Sequence, residues 1–290
     1  MFFDEEMILD LRLNIMDKYV DKFVITEATY MHSGEPKKLV FDINKFSKFK
    51  DKIIYIVVDE PPKDLIKINH IDDLNEKETK KTLNAKKREV FQINKTQEGL
   101  NNTNPEDIVI VSDVDEIPDL DQIDLRTINK KLIFFKQKIY FYKFNLHDPS
   151  TSWFGSRACR KKNFISPQWL RDIKTKKYPF WRIDTFFSKK KYNNIEYIND
   201  GGWHFTNIKT PENIQKKLLN YTHHDEFEKS GINLDQLKIM IKEKKAIYNH
   251  SVDQKQNKWN SKNTLHKVEL NRLPDYLREN YKKYSSWIEF

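Results

Sequence analysis

Glycine is scarce in this chain, at six residues in 290. That argues against a glycine-rich phosphate loop, and neither a Walker pattern nor G-x-G-x-x-G occurs anywhere. Phosphate binding would then have to come from a metal and cationic side chains. Cysteine is scarcer still. The single Cys159 rules out an internal disulfide, and with it a disulfide-stapled secreted fold. Set among Arg157, Arg160 and Lys161, Cys159 reads as incidental rather than as a nucleophile. Long apolar runs are missing too: no stretch approaches the about 18 residues a transmembrane helix needs. The leading Met1-Phe2-Phe3-Asp4-Glu5-Glu6 lacks a basic region followed by an apolar one, so no signal peptide is visible. A soluble, cytoplasmic protein is the expectation.

What is present is enough for a real core. Hydrophobic residues make up 38% and aromatics 13%, beside a very polar 33% of charged residues. At 290 residues this suits one large α/β domain. The net charge of +9 is spread along the chain as lysine. A basic face can attract anionic sugar nucleotides or a lipid surface, so peripheral contact with a membrane stays open. No zinc finger or aromatic RNP strand occurs, and no nucleic-acid partner is expected.

The most informative stretch is Ile108-Val109-Ile110-Val111-Ser112-Asp113-Val114-Asp115-Glu116-Ile117-Pro118. Its β-branched opening reads as a buried strand, because Ile and Val stack well on a pleated surface. Carboxylates at the carboxyl end of such a strand sit where open α/β sheets place ligands. Asp113, Asp115 and Glu116 cannot all stay ionised so close together without a compensating cation. The economical choice is a hard divalent metal, Mn or Mg, which takes oxygen ligands and keeps positions for a phosphate. The plainer alternative is a solvated acidic turn.

Around it, residues 5–18 carry a helical stripe, residues 22–28 and 52–59 read as strands, and residues 75–98 as a long helix ending near Gly99. Strand, connection, strand, helix, strand fits a parallel sheet with crossovers. Residues 131–144 suggest one or two longer strands. Residues 152–181 are aromatic and basic, suited to sugar rings and phosphates, or else a half-buried sheet with snorkelling arginines. Helices are expected over 211–221, with Thr210 as N-cap, and over 233–248. No repeat or linker divides the chain.

Several blocks, taken in order, resemble glycosyltransferase family 17. They are Phe3-Asp4-Glu5 and Leu9-Asp10-Leu11-Arg12-Leu13, then the run from Val20 to Ala28 and His32-Ser33-Gly34-Glu35-Pro36-Lys37. Glu89-Val90-Phe91-Gln92-Ile93-Asn94 is similar to the family's E-x-x-Q-R-N, with Ile93 in place of the arginine and Lys95 or Arg88 as neighbouring substitutes. The acidic strand end, Gly201-Gly202-Trp203-His204-Phe205 and His224-Asp225-Glu226-Phe227 complete the set, the last similar to an H-x-E element followed by an aromatic. The blocks span about residues 3–250 and leave the last 40 without a match.

The resemblance implies a single-domain, GT-A-like α/β/α sandwich around a mostly parallel sheet, over residues 1–250, with 251–290 packing on it as a C-terminal extension. It implies inverting transfer of N-acetylglucosamine from UDP-GlcNAc to a sugar hydroxyl of a glycan acceptor, assisted by a divalent metal, Mn ahead of Mg. On this reading Asp115 binds the metal and Asp113 binds it or the donor ribose, with Glu116 orienting both. His204 is a further metal or diphosphate contact, and Trp203 walls the sugar. Glu27, Lys37 and Arg88 lie on the donor side. Glu226, oriented by His224, is the first candidate for the catalytic base, with Asp225, Asp200 and Asp184 as alternatives. The rival readings are a transferase using UDP-galactose or UDP-glucose, a non-catalytic glycan-binding module, and a metal nuclease.

Overall fold

The computed structural model describes residues 1–179, 181–220, 224–249, 258, 259, 261 and 263–290, without the side chains of Phe186, His224 and Asp225. The first helix, α1 (Glu6–Met16), buries Ile8, Leu9, Leu11, Leu13 and Met16, following the apolar spacing of its sequence. It leads into β1 (Phe23–Ala28), which pairs in parallel with β2 (Ile53–Val58), Phe23 opposite Ile53 and Ala28 opposite Val58. The long helix α2 (Leu74–Lys95) starts at a capping box. The Asp73 side chain accepts the Glu76 N–H while the Glu76 side chain accepts the Asp73 N–H. Its inner face is unusually polar, burying Asn84, Glu89 and Gln92 beside Ala85 and Ile93.

The acidic run forms β3 (Ile108–Val111), a turn, and β4 (Glu116–Pro118). Residues 131–144 divide into β5 (Leu132–Phe135) and β6 (Gln137–Phe141), followed by β7 (Leu146–Trp153) and β8 (Arg157–Arg160). Two short helices, α3 (Pro167–Asp172) and α4 (Asp184–Phe187), precede β9 (Ile195–Ile198) and β10 (Gly202–Thr206). Then come α5 (Pro211–Leu219), α6 (His224–Ser230), α7 (Leu234–Lys242), β11 (His266–Lys267) and α8 (Asp275–Glu279). The helix expected over 233–248 stops early, because Lys244 takes φ 54° and the chain turns to bury Ala246 and Ile247.

The expected mostly parallel sheet is not what these strands build. Among the described residues β1–β2, β6–β10 and β5–β9 are parallel, whereas β4–β10, β7–β11, β3–β8, β5–β8 and β6–β7 are antiparallel. The strand order is β11-β7-β6-β10-β4 in one sheet and β3-β8-β5-β9 in another, beside the β1–β2 pair. The reason is β8. It returns after β7 and takes the edge of β3, Val109 opposite Cys159 and Val111 opposite Arg157. The fold is α/β with mixed sheets in one domain.

A jog links the two larger sheets. Both β5–β6 and β9–β10 change sheets there, stitched by Lys136 N–H to the Ile198 carbonyl and Gly201 N–H to the Lys136 carbonyl. Asp200 (φ 49°) and Gly202 (φ 124°) make the turn. Around it lies the main core of Leu11, Leu13, Ile117, Phe135, Tyr140, Phe144 and Phe205, closed by Leu277, Tyr284 and Ile288 from the end of the chain. A second core lies between β6 and the helices α5–α7, and a third under α3. No helix among the described residues is long and apolar enough to cross a membrane.

Gly202 is the tightest point of this frame, since a Cβ there would meet the Ile117 carbonyl oxygen at 2.2 Å, at a φ side chains rarely adopt. Gly202→Ala is expected to cost on the order of 1–3 kcal/mol in backbone strain, plus the displacement of β4. Urea denaturation measures this; an unchanged midpoint would show that β4 yields freely.

Candidate functional site

The turn between β3 and β4 is held from three sides. Arg12, on α1, donates from Nη1 to the carbonyls of Asp113 (3.0 Å) and Glu116 (2.6 Å), and from Nη2 to Ser112 Oγ (2.6 Å). Burial pulls its guanidinium down to about 10, still charged at neutral pH, with Glu116, Asp113 and Asp115 opposing the shift. Arg171, on α3, grips Asp113 with two parallel bonds of 2.8 and 2.9 Å. Burial opposes ionisation of Asp113, but Arg171 outweighs it and holds the carboxyl well below its usual range. Glu116, 1% exposed, accepts Trp153 Nε1–H at 2.5 Å on one oxygen and the Asp113 N–H at 2.8 Å on the other. Burial, then Asp113, pushes its carboxyl upward. Gly155 makes this possible, since a Cβ there would sit 2.3 Å from the Glu116 carboxylate and 2.6 Å from Trp153 Nε1.

Asp115 is placed differently. It is 9% exposed, and its closest ionisable neighbours stand back, His204 Nε2 at 3.8 Å from Oδ1 and Lys217 Nζ at 3.9 Å from Oδ2. Burial pushes its carboxyl up to about 6, Lys217 opposing and Asp113 and Glu5 adding to the shift. Its backbone carbonyl accepts the Phe205 N–H at 2.8 Å, which ties it to β10. That strand sets His204 opposite Glu116 and lays its ring 5.6 Å from Trp153. Burial lowers the His204 pKa, favouring the neutral imidazole that can ligate a metal. Asp115 opens into a pocket of about 300 Å³ shared with Glu5, Asn207, Lys209, Thr210 and Lys217.

These residues fit a divalent metal only in part. Asp115 Oδ1 and His204 Nε2 are near enough for one ion with bonds of roughly 2.0–2.2 Å to reach both. Asp113 and Glu116 are occupied by Arg171 and Trp153. Among the described residues no group of three or more His, Cys, Asp or Glu is arranged to hold an ion alone. The remaining ligands would be water and substrate phosphates, the usual state of a nucleotide-bound Mg or Mn.

The other sequence-derived candidates lie elsewhere. Glu27 is fully buried and saturated by Lys37 Nζ, the N–H groups of Val40 (2.9 Å) and Phe41 (3.0 Å), and Tyr55 OH (2.8 Å), so it fastens the loop after β1. Arg88 reaches the His32 carbonyl at 3.0 Å and lies against Gly34. Trp203 alternates to the face of β10 opposite His204 and donates to the Arg272 carbonyl at 2.9 Å, bracing the C-terminal segment. Asp200 pairs with Lys138 at 2.9 Å, and Asp184 with Arg182 and Lys191. Glu226 pairs with Lys258 at 2.6 Å on α6 and is not part of the pocket lining beside Asp115. The side chains of Asp225 and His224 lie outside the described residues. Cys159 is buried, its thiol pushed up to about 12, in keeping with an inert residue.

Sequence reasoning missed Arg171, Trp153, Lys217 and the role of Arg12. Arg12 stands inside one of the blocks that carry the family resemblance, and Arg171 and Trp153 inside the aromatic-basic stretch, which were the available signals.

Fold and site together define an α/β protein with an acid cluster at a strand end, where Asp115 opens into a pocket. The family model of glycosyltransferase family 17 matches residues 1–288, and the chain belongs to that family. The match includes the final residues, where sequence reading found no resemblance. The chain is 23% identical over 239 residues to the human, rat and mouse proteins named β-1,4-mannosyl-glycoprotein 4-β-N-acetylglucosaminyltransferase. The alignment covers 75% of this chain and 41% of each relative, so the chain spans less than half the length of the curated relatives it matches. No solved structure matches it.

Arg12→Met removes three bonds and the charge at the centre of the turn, and is expected to cost about 3–5 kcal/mol. The exposed Lys48–Asp17 pair is the control, since Lys48→Met should cost less than about 1 kcal/mol. Equal denaturation midpoints for the two variants would show that the turn does not depend on Arg12.

Proposed function

We propose that this chain is a glycosyltransferase of GT-A-like architecture that moves N-acetylglucosamine from UDP-GlcNAc to a sugar hydroxyl of a glycan acceptor, with inversion and a divalent metal. Family membership and the names of the relatives support the reaction class and the sugar. The observation that carries the site is Asp115: a buried carboxylate facing a pocket, with an imidazole at 3.8 Å, while the carboxylates on either side of its turn are committed elsewhere.

In the reaction the acceptor oxygen bonds to the anomeric carbon from the side opposite the diphosphate. The bond from that carbon to the β-phosphate oxygen breaks, its electron pair leaves with UDP, and the acceptor proton passes to a base. Asp115 and His204 would hold the metal, which when bound supplies Lewis-acid stabilisation of the charge on UDP. Arg12 and Arg171 fix the turn, so that Asp115 is held in place before substrate arrives. Burial around Asp115 keeps bulk water away, which strengthens every electrostatic contact there.

The test is UDP release from UDP-GlcNAc, UDP-galactose and UDP-glucose with a glycan acceptor and Mn, with and without chelator. Release is expected with UDP-GlcNAc and should stop on chelation. Asp115→Asn, nearly isosteric, should lower turnover about a hundredfold or more. Metal-replete protein that releases UDP from none of the three donors would leave a glycan-binding module as the better reading.

A further inference from the structure

The pocket beside Asp115 contains a cation that the mechanism above does not use. Lys217 reaches across from α5 with its Nζ 3.5 Å from Glu5 Oε1 and 3.9 Å from Asp115 Oδ2. Glu5 is 8% exposed, and its other oxygen accepts the N–H groups of Phe3 and Asp4, each at 3.2 Å, which fixes the carboxylate in one orientation. Lys209 stands 4.0 Å from the same Oε1 and pairs with Asp4. Burial opposes ionisation of Glu5, but Lys217 and Lys209 outweigh it and hold its carboxyl below the usual range. A charged lysine is thus seated between two buried carboxylates, at the wall of a pocket whose lining also includes Asn207, Thr210 and Asn213 beside apolar Phe205, Ile208 and Trp287.

The arginines near the acid cluster are consumed by the fold. Arg12 bonds Ser112 and two carbonyls, Arg171 grips Asp113, and Arg157 donates to the carbonyls of Leu170, Arg171 and Ile173. The chain also has no glycine-rich loop whose N–H groups could take a phosphate. A diphosphate gains negative charge as the bond to the sugar breaks, and that charge needs a donor on the Asp115 side. A lysine suits the task, being a compact charge on a flexible stem that re-aims over an ångström or two.

We propose that Lys217 holds the β-phosphate of the nucleotide diphosphate as it departs, and that Glu5 is the positioning residue that keeps the ammonium beside Asp115. The inference rests on the nucleotide-sugar reading above. It names which part of the donor enters this pocket, the outer phosphate rather than the nucleoside.

Calorimetric titration of the whole chain with UDP and with UMP, in Mn, separates the two questions. Lys217→Met is expected to weaken UDP about tenfold or more and leave UMP unchanged within about twofold, with Lys217→Arg recovering most of the loss. Glu5→Gln should reduce the preference for UDP over UMP in the same direction. Thermal melting confirms that each variant is folded, and Lys217→Gln replaces the methionine variant should that one not fold. Parallel losses for UDP and UMP, or no loss for either, overturn the assignment of Lys217, and an unchanged preference in Glu5→Gln removes the positioning role. Wild-type protein that binds both nucleotides equally well also overturns the assignment. Wild-type protein that binds neither refutes the nucleotide-sugar reading itself and the inference with it.

Discussion

Three carboxylates within four residues, folded into one turn, are the constraint around which this structure is organised. Left alone, Asp113, Asp115 and Glu116 would repel one another and resist leaving water. The fold answers with a different partner for each. Asp113 receives a full guanidinium from α3, Glu116 receives neutral N–H donors from Trp153 and the turn itself, and Arg12 threads α1 beneath the backbone to bind its carbonyls. Asp115 is left beside the pocket it shares with Glu5 and Lys217, its ionisable neighbours 3.8 and 3.9 Å away. A difference in function between adjacent, chemically alike residues therefore arises from what surrounds each of them.

That division explains why the surrounding architecture takes the form it does. The pairing of β4 with β10 sets His204 opposite Glu116. It requires Gly202, where the chain of β10 passes too close to the Ile117 carbonyl for any side chain. The short strand β8 brings Arg157 against the end of β3, β7 ends on Trp153, and Gly155 between them lets the indole and the Glu116 carboxylate close up. Mixed strand directions are thus tied to the site: the antiparallel pairing of β4 with β10 sets His204 beside the turn, and the end of β7 places Trp153 on Glu116.

What was legible in the sequence was local. The β3 strand and its acids stand in one unbroken run, the long charged helix α2 lies within residues 74–95, and Thr210 does cap α5. What was not legible depends on contacts distant along the chain. Arg12 is 101 residues from Asp113 and Arg171 is 58, and nothing in either neighbourhood announces the partner. Sheet direction failed for the same reason, since apolar strands alone do not say that β8 rather than β1 will pair with β3. Trp203 and His204 show the limit sharply. The motif that contains both reads as one site, yet strand alternation sends the indole to the C-terminal segment and the imidazole to Asp115.

Ile93 completes the account of charge. Where the family pattern has an arginine, this chain buries an apolar side chain in the wall between α2 and β1. The neighbouring cations do not stand in for it: Lys95 pairs with Glu98 at 2.6 Å, and Arg88 is spent on the His32 carbonyl. Helix α2 therefore contributes no cation to the acid cluster among these three positions. The positive charge that balances the cluster comes from α1, α3 and α5 instead, through Arg12, Arg171 and Lys217. Two of these are rigid guanidiniums locked to the turn, and the third is a lysine at the pocket wall. In this arrangement the guanidiniums that fold the turn are separate from the ammonium at the pocket wall.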